Sequence, residues 1–364
     1  MKKYVLSVDF TVVFTVLLLM MTGFFSLTSA TDNTRKLTVQ TLCYAAGFII
    51  MIALAFWDYR SIAGQKMRIY FLCLFLLIIV FPFGIGKEET GALSWIRFGG
   101  IGVQPSEFVK LLFCLFLSSE LSEKIEKNTL NNKKDLLISL AKCVPVIALV
   151  IMQNDTGTAL VFVFILCVVL FIAGISFKYI LITAGAVLIS LPIIWACLAD
   201  YQKDRIAVFF NPSADLSNAG YQVNLSKLAL SSGGIAGHGY RQGAVNALSY
   251  LPEKETDFIF SVIGEEFGIL GTGFVLLLFL ILILKCFSIA KHAADIRGKL
   301  LATGISTIFL FHIAENIGMT LGLLPVTGIP LPFLSYGGSS VLSMSIGAGL
   351  VLCVRRKAYN LYNS

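Results

Sequence analysis

Long apolar runs alternate with short polar segments along almost the whole chain, and one long polar segment interrupts the series. Ten runs are candidates to cross about 30 Å of hydrocarbon as helices. They cover residues 8–29, 40–56, 69–85, 107–119, 136–151, 157–173, 178–198, 269–287, 300–323 and 335–354. The fourth run has only thirteen residues, a length that also occurs in buried or interfacial segments. The pattern predicts an all-α polytopic membrane protein with ten transmembrane helices.

Composition supports the same class of protein. Hydrophobic residues make up 57% of the 364 residues and charged residues 13%, which excludes a soluble domain of this length. The net charge of +7 would suggest nucleic acid in a soluble protein, but here the placement of the basic residues matters more, and we expect no nucleic-acid partner. The eight cysteines lie singly without CxxC spacing and are interpreted as packing residues. We expect a single membrane domain over residues 1–364.

The distribution of basic residues predicts the orientation. With ten spans and a cytoplasmic N-terminus, 18 of the 28 lysines and arginines fall on the inner side. Five of the other ten belong to the long polar loop, and long loops cross the membrane regardless of charge. The positive-inside rule therefore favours both termini in the cytoplasm of a multi-pass protein of the bacterial cytoplasmic membrane.

The long loop, residues 199–257 between the seventh and eighth spans, has the size and polarity of a functional surface on the outer side. Three shorter irregular segments, 86–107, 153–157 and 323–340, fall on the same side. Irregular backbone at membrane depth persists only where it is buried in protein or lines a wet cavity. The four segments therefore predict one shared outward cavity. The glycine-rich sequence SGGIAGHG in the loop is either a phosphate-binding turn or a flexible connection.

The stretch 251–271, LPEKETDFIFSVIGEEFGILG, places several carboxylates directly beside a long apolar run. Carboxylates near hydrocarbon are costly unless they face a polar cavity or a partner, so they are candidates for function. Asp257 is either the N-cap of the helix that follows or a catalytic residue. Glu265 and Glu266 could line the cavity or pair with cations of the loop.

Two other segments carry polar residues at helical spacing. Glu107 and Lys110 are three residues apart and predict a salt bridge at the start of a helix, which could also form a wall of the cavity. His312, Glu315 and Asn316 share one face of the ninth span, which should face protein or water. The sequence contains no Ser/His/Asp arrangement, Walker loop or dinucleotide fingerprint.

Four segments together resemble the SEDS family of shape, elongation, division and sporulation proteins, which includes RodA, FtsW and SpoVE. They are WIRFGGIGVQPSEFVKL, the region from RIAVFFNP to GYQVNLSKLALSSGG, LPEKETDFIFSVIGEEFG and NIGMTLGLLPVTGIPLPFLSYGGSS. The chain departs from the family pattern at Glu255 and Glu315, among other positions, and these departures leave Asp257 in place.

The resemblance implies a peptidoglycan glycosyltransferase that polymerises lipid II outside the membrane and works with a class B penicillin-binding protein. It assigns the essential catalytic role to Asp257. Asp257 acts either as the base for the acceptor hydroxyl or as a ligand of a divalent cation, Mg or Mn. The residues expected to contact lipid II or the undecaprenyl-linked glycan are Trp95, Arg97, Glu107, Lys110, Asp155, Arg205, Gln222, Lys254 and Asn316.

Two other functions stay open from the sequence. A flippase for lipid-linked precursors would place broken helices and charges near the bilayer midplane. Here most polar residues lie on one side of the membrane, with the stripe in the ninth span as the exception. A non-catalytic scaffold of a cell-wall synthesis complex explains the spans but not the carboxylates gathered outside.

Overall fold

The structure, a computed structural model, describes residues 8–86, 92–98, 101–176, 178–179, 203, 207, 209, 219–244 and 251–362. Most of the described chain is helical, and irregular segments such as residues 321–337 connect the helices. A short antiparallel hairpin, β1 (Ile96–Phe98) and β2 (Ile101–Val103), also lies within these ranges, and it pairs Ile96 with Val103.

The described ranges contain eleven α-helices. They are α1 (Phe10–Ala30), α2 (Thr34–Ala55), α3 (Lys66–Ile78), α4 (Val80–Phe83), α5 (Pro105–Glu126), α6 (Lys133–Met152), α7 (Thr156–Ala173), α8 (Ala219–Ser232), α9 (Ile259–Lys291), α10 (Ile296–Thr320) and α11 (Gly338–Tyr362). A 3-10 helix, Tyr59–Gln65, leads into α3. Side chains of Asp9, Asn33, Asn132, Asp155 and Asp295 cap five of the helices at their N-termini.

Eight helical segments of the described chain are long and apolar enough to cross a membrane. They coincide with eight of the ten predicted spans, so the prediction of a multi-pass helical protein is confirmed. The short fourth run, residues 107–119, lies within the 22-residue helix α5, which is less apolar but long enough to cross. The seventh predicted span, 178–198, lies outside the described residues except for residues 178 and 179, and so do several parts of the following loop.

Helices α5, α10 and α11 form the centre of the molecule. Almost every residue of α10 is buried, and α5 is buried over its first four turns. Helix α2 packs along α11, α7 and α9 pack on α10, and α1 packs on α9. Polar side chains inside α5, α10 and α11 therefore face protein and not lipid, which is the arrangement that a membrane requires of them.

Ion pairs join several helices at one end of the bundle. The Glu120 carboxylate on α5 lies 3.0 Å from Lys66 Nζ of α3 and 2.7 Å from Lys142 Nζ of α6. Asp295 accepts hydrogen bonds from the Tyr59 hydroxyl at 2.9 Å and from Arg60 Nε at 2.6 Å. These contacts lie at the end of the bundle that the distribution of basic residues predicts to be cytoplasmic.

Helix α9 has 33 residues, about 50 Å at 1.5 Å per residue, and its backbone is broken at Gly268 (φ 63°, ψ −155°). The glycine-rich segment 233–239 fills the break. Backbone N–H groups of His238 and Gly239 donate to the carbonyls of Glu265 and Glu266, each at 3.0 Å, and Ile269 N donates to Gly234 O at 3.0 Å. The backbone N–H groups of His238 and Gly239 therefore donate to α9, so they are not available to bind a phosphate. The same hydrogen bonds fix the segment to α9, so it is not a flexible connection.

The glycines of this segment allow a direct test of the packing. A Cβ at Gly237 would lie 2.1 Å from the Glu266 carbonyl oxygen, whereas a Cβ at Gly234 would meet nothing within 4 Å; both residues have positive φ. We expect Gly237→Ala to destabilise the protein by about 1–3 kcal/mol more than Gly234→Ala, because the backbone must shift to admit the methyl group. Denaturant unfolding in mixed micelles measures both variants, and equal stabilities would contradict the close backbone packing.

Candidate active site

The connection between α10 and α11, residues 321–337, contacts most of the elements at this end of the molecule. Gly157 at the start of α7 packs against Thr327 and Ile329, where a Cβ would lie 3.2 Å from the Thr327 carbonyl oxygen. The Tyr44 hydroxyl of α2 donates to the Phe333 carbonyl at 2.8 Å. The irregular segments predicted to share one side of the membrane therefore meet around this connection.

The backbone carbonyls of residues 255–257 accept hydrogen bonds from this connection and from α10. Tyr336 N donates to Glu255 O at 2.8 Å, and Ser335 Oγ donates to Thr256 O at 2.5 Å. Asn316 Nδ2, fully buried on α10, donates to Asp257 O at 2.9 Å and to Ile329 O at 2.8 Å. Three consecutive peptide groups are thus held in place, which preorganises the Asp257 side chain before any substrate binds.

The Asp257 carboxylate is half-buried and lies beside Gly328. A Cβ built on Gly328, whose φ is 78°, would come 3.5 Å from Asp257 Oδ2. Helix α9 begins at Ile259 with Phe258 in the N-cap position, so Asp257 precedes the cap by one residue. Of the two interpretations of Asp257 made from the sequence, the N-cap is therefore not supported.

A buried charged network lies next to this site, in the centre of the helix bundle. Lys110 Nζ on α5 is 2.7 Å from Glu107 Oε1 and 2.7 Å from His312 Nε2 on α10. Ser343 Oγ of α11 donates to Glu107 Oε2 at 2.9 Å. The predicted Glu107–Lys110 salt bridge is confirmed, and it joins three helices instead of stabilising the end of one.

His312 connects the charged network to the connection 321–337. Its Nδ1 lies 3.1 Å from the Pro330 carbonyl oxygen, which can only accept a hydrogen bond. The ring therefore carries its proton on Nδ1 and accepts from the Lys110 ammonium through Nε2. Four residues along α10, Asn316 binds Ile329 O, so one face of this helix holds both Ile329 and Pro330.

Glu315 lies beside this face and accepts a hydrogen bond from Thr327 Oγ1 at 2.9 Å. The prediction that the polar stripe of the ninth span faces protein is confirmed.

Asp155 caps α7 through a 3.0 Å hydrogen bond from Thr158 N to Oδ1. Gln104 Nε2 donates to Asp155 Oδ2 at 3.0 Å, and Gln104 N donates to Ser339 Oγ at 3.1 Å. Burial raises the pKa of the Asp155 carboxyl above its usual range. Asp155 therefore links α7 to the strand–helix junction before α5, next to the charged network.

Lys254 lies among carboxylates. Burial lowers the pKa of its ammonium, and the negative charges of Glu255, Asp32, Glu265 and Glu266 oppose that shift. Glu266 also accepts a hydrogen bond from Ser29 of α1. An anionic substrate group at Lys254 would have to compete with these carboxylates.

The remaining predicted site residues are more dispersed. Trp95 is half-buried, and its ring packs over Gly102 in the hairpin, while Arg97 on β1 is exposed. Gln222 is half-buried on α8. Arg205 lies outside the described residues. Within the described ranges, no group of three or more His, Cys, Asp or Glu side chains could hold a metal ion.

Several residues of the site were not predicted from the sequence. Ser343, Ser335, Gln104 and Gln40 each make a buried or partly buried hydrogen bond that fixes a helix or the connection 321–337; Gln40 Nε2, for example, donates to Ser335 O at 3.1 Å. A single Ser or Gln in an apolar run carries no signal of its partner, because that partner lies on another helix.

Known proteins resemble this chain in sequence over most of its length. A family model described as "Cell cycle protein", FTSW_RODA_SPOVE, matches residues 2–360. The chain is 35% identical over 311 residues to the peptidoglycan glycosyltransferase MrdB of Escherichia coli K12, covering 85% of this chain and 83% of that protein. It is 36% identical over 317 residues to Stage V sporulation protein E of Bacillus subtilis, covering 87% of this chain and 86% of the relative.

Solved structures are similar over almost the whole length. A chain from a structure described as "Structural coordination of polymerization and crosslinking by a peptidoglycan synthase complex" matches with a TM-score of 0.84 and 29% identity, covering 97% of this chain and 98% of that one. The rod shape determining protein RodA of Thermus thermophilus matches with a TM-score of 0.72 and 28% identity, with the same coverage.

Proposed function

The chain belongs to the FtsW, RodA and SpoVE family of cell cycle proteins, and on that premise we propose that it is a peptidoglycan glycosyltransferase that polymerises lipid II. The observation that carries the proposal is the position of Asp257. Its backbone is fixed by hydrogen bonds to the carbonyls of residues 255–257, while its carboxylate remains half-exposed beside Gly328.

The reaction joins two lipid-linked sugars by one inversion. The 4-hydroxyl oxygen of the acceptor forms a bond to the anomeric carbon of the donor, and the bond from that carbon to the pyrophosphate oxygen breaks. The Asp257 carboxylate accepts the proton of the attacking hydroxyl, a role typically worth about 10²- to 10⁴-fold in rate. The electron pair of the broken bond leaves with the pyrophosphate, whose charge must then be stabilised.

The cations that could stabilise the pyrophosphate differ in accessibility. Lys110 is buried and bound to Glu107 and His312, so its role is to hold the helices around the site. Arg97 and Arg241 are exposed, and they are the described cations best placed to meet a phosphate in solution or at the membrane surface. Lys254 could contribute only if the substrate also binds close to the carboxylates that surround Lys254.

A divalent cation would suit those acidic neighbours. Mg²⁺ is commonly bound by one or two carboxylates together with substrate phosphates, so a three-residue protein cluster is not required. Asp257 would supply one carboxylate oxygen, and the cation would offset charge on the pyrophosphate. Loss of polymerisation on chelation, with recovery on adding Mg²⁺ or Mn²⁺, tests this; unchanged activity in chelator would exclude a required cation.

We also propose ten membrane spans with both termini in the cytoplasm, and a class B penicillin-binding protein as the partner that crosslinks the glycan. Eight described helices, α5 and the predicted span 178–198 make up the ten. The partner is suggested by the similar chain in a complex that coordinates polymerization and crosslinking.

The orientation can be tested by cysteine labelling. Asp32, between α1 and α2, is 95% exposed, and Lys134 at the start of α6 is exposed at the opposite end of the helices. We expect Asp32→Cys to react with an impermeant thiol reagent in intact cells and Lys134→Cys to react only after lysis. The unsubstituted protein gives the background of the native cysteines. Labelling in the reverse order would contradict the proposed topology.

The activity itself is tested with purified protein and labelled lipid II in liposomes. We expect long glycan strands, in larger amounts when the penicillin-binding partner is present. Transbilayer movement of lipid II without polymer formation would instead favour a flippase. Neither activity, from protein that still binds its partner, would favour a scaffold.

A further inference from the structure

A groove of about 870 Å³ lies on the surface between α1 and α9, outside the site around Asp257. Its walls are the C-terminal half of α1, including Phe25, and residues 263–274 of α9, including Leu270 and Phe274. These three side chains are exposed, and the groove is almost entirely apolar. The hydroxyls of Thr22 and Ser26 are bound to carbonyls of their own helix, at 2.9 Å in each case, so they add little polarity.

The groove has the length of one membrane leaflet. In a continuous helix the eleven steps from Ile263 to Phe274 would rise roughly 16 Å at 1.5 Å per residue, which is of the same order as the roughly 15 Å of half the hydrocarbon core. Helices α1 and α9 pack on each other, and further from the outer end Val16 and Leu19 of α1 and Leu278 and Leu282 of α9 are all buried. The break at Gly268 lies within this groove.

The outer end of the groove is polar. Thr28 Oγ1 and Tyr240 OH lie 2.9 Å apart, and Arg241 Nε donates to Thr28 O at 3.1 Å. The Arg241 side chain is half-exposed, and its pair with the exposed Asp32 is of the kind that contributes little and exchanges easily. An amphiphile with its chain in the groove would therefore place its headgroup next to a guanidinium, which binds phosphate oxygens well.

We propose that this groove binds the polyprenyl chain of the lipid-linked sugar substrate. Ile263 follows Asp257 by only six residues and lies in the second turn of α9, so a chain seated here would hold its pyrophosphate near the Asp257 site. At roughly 30 Å³ per carbon-sized group, the volume of a liquid water molecule, the groove admits about 30 carbons, more than one phospholipid acyl chain would fill. The inference rests on the proposed function.

The dimensions argue against a helix of a partner protein as the occupant. Volume divided by length gives a cross-section of roughly 55 Å², whereas a helix with side chains, 10–12 Å in diameter, needs about 80–110 Å².

Two neighbouring residues provide a variant and its matched control. Ala236 lines the groove, whereas Ile235 next to it is 71% exposed and does not line it. The full-length protein in nanodiscs of phosphatidylcholine and phosphatidylglycerol is irradiated with undecaprenyl pyrophosphate that carries a diazirine on its tail. We expect labelled peptides from residues 22–28 and 263–274, competition by unlabelled undecaprenyl pyrophosphate, and at least a fivefold loss of labelling in Ala236→Trp but not in Ile235→Trp.

The control outcomes separate this inference from the function itself. Equal labelling by a diazirine phosphatidylglycerol, labelling that is not competed, or labelling confined to other helices would overturn the polyprenyl site. Labelling does not depend on turnover, so specific groove labelling in a protein that makes no polymer would contradict the proposed function and leave the groove assignment standing. Polymer formation by a protein whose groove peptides are not labelled would support the proposed function and contradict the groove assignment.

Discussion

Asp257→Asn is expected to abolish glycan polymerisation while leaving the protein folded and bound to its partner. The amide has the shape of the carboxylate but neither its charge nor its basicity, so it cannot accept the proton of the acceptor hydroxyl or serve as an anionic ligand. The expected loss is about 10²- to 10⁴-fold in rate. Polymer made from fluorescent lipid II, resolved by gel electrophoresis, measures it.

The structure explains why folding should survive this change. The helix cap is Phe258, and the hydrogen bonds that fix residues 255–257 use backbone carbonyls, which the substitution does not alter. Glu253→Gln is the matched control, because it makes the same chemical change on an exposed side chain of the same turn. We expect near-normal polymerisation from that variant.

Near-normal polymerisation by Asp257→Asn would exclude Asp257 as base and as metal ligand. The carboxylates of Glu107, Asp155, Glu265 and Glu266 would then be the next candidates, although those of Glu107, Glu265 and Glu266 are almost completely buried and that of Asp155 already caps α7. Each would need a conformational change to reach a substrate, which makes Asp257 the more economical assignment.

The helices and their order were predictable from the sequence because membrane helices must be long and apolar. The ends were less predictable: α9 begins ten residues before the apolar run at 269–287, since its first turns are buried in protein and tolerate Glu265 and Glu266. The ion pair of Glu107 and Lys110 was also predictable, because side chains three residues apart on a helix lie on the same face.

Contacts between distant segments could not be predicted from spacing. His312 meets Lys110 across 202 positions, and the glycine-rich segment meets α9 through backbone groups that have no residue-specific signal. The glycines of SGGIAGHG suggested a close approach of backbone to some partner, and only the fold identifies that partner as the broken helix. The catalytic assignment of Asp257 came from the family resemblance, because local physics had left a helix cap equally open.

The largest effect on stability is expected at the buried ion pair of α5. The side chains of Lys110 and Glu107 are 1% and 3% exposed, so removing one partner leaves the other charged and buried. We expect Lys110→Met and Glu107→Gln each to destabilise the protein by about 3–5 kcal/mol. Lys110→Met also removes the donor to His312 Nε2, which weakens the attachment of α5 to α10.

The double variant Glu107→Gln/Lys110→Met distinguishes a charge effect from a packing effect. It leaves no unpaired charge, and we therefore expect it to be more stable than either single variant, a coupling that additive packing losses would not give. Lys127→Met is the control for the loss of a lysine, at the C-terminal end of the same helix. The Lys127 side chain is 64% exposed, so its pair with Glu123 should contribute less than about 1 kcal/mol. Denaturant unfolding in mixed micelles gives the change in the free energy of unfolding for each of the four variants. Additive losses in the double variant would show that the pair is held by packing alone, and that Lys110 does not need its counter-charge to sit between α5 and α10.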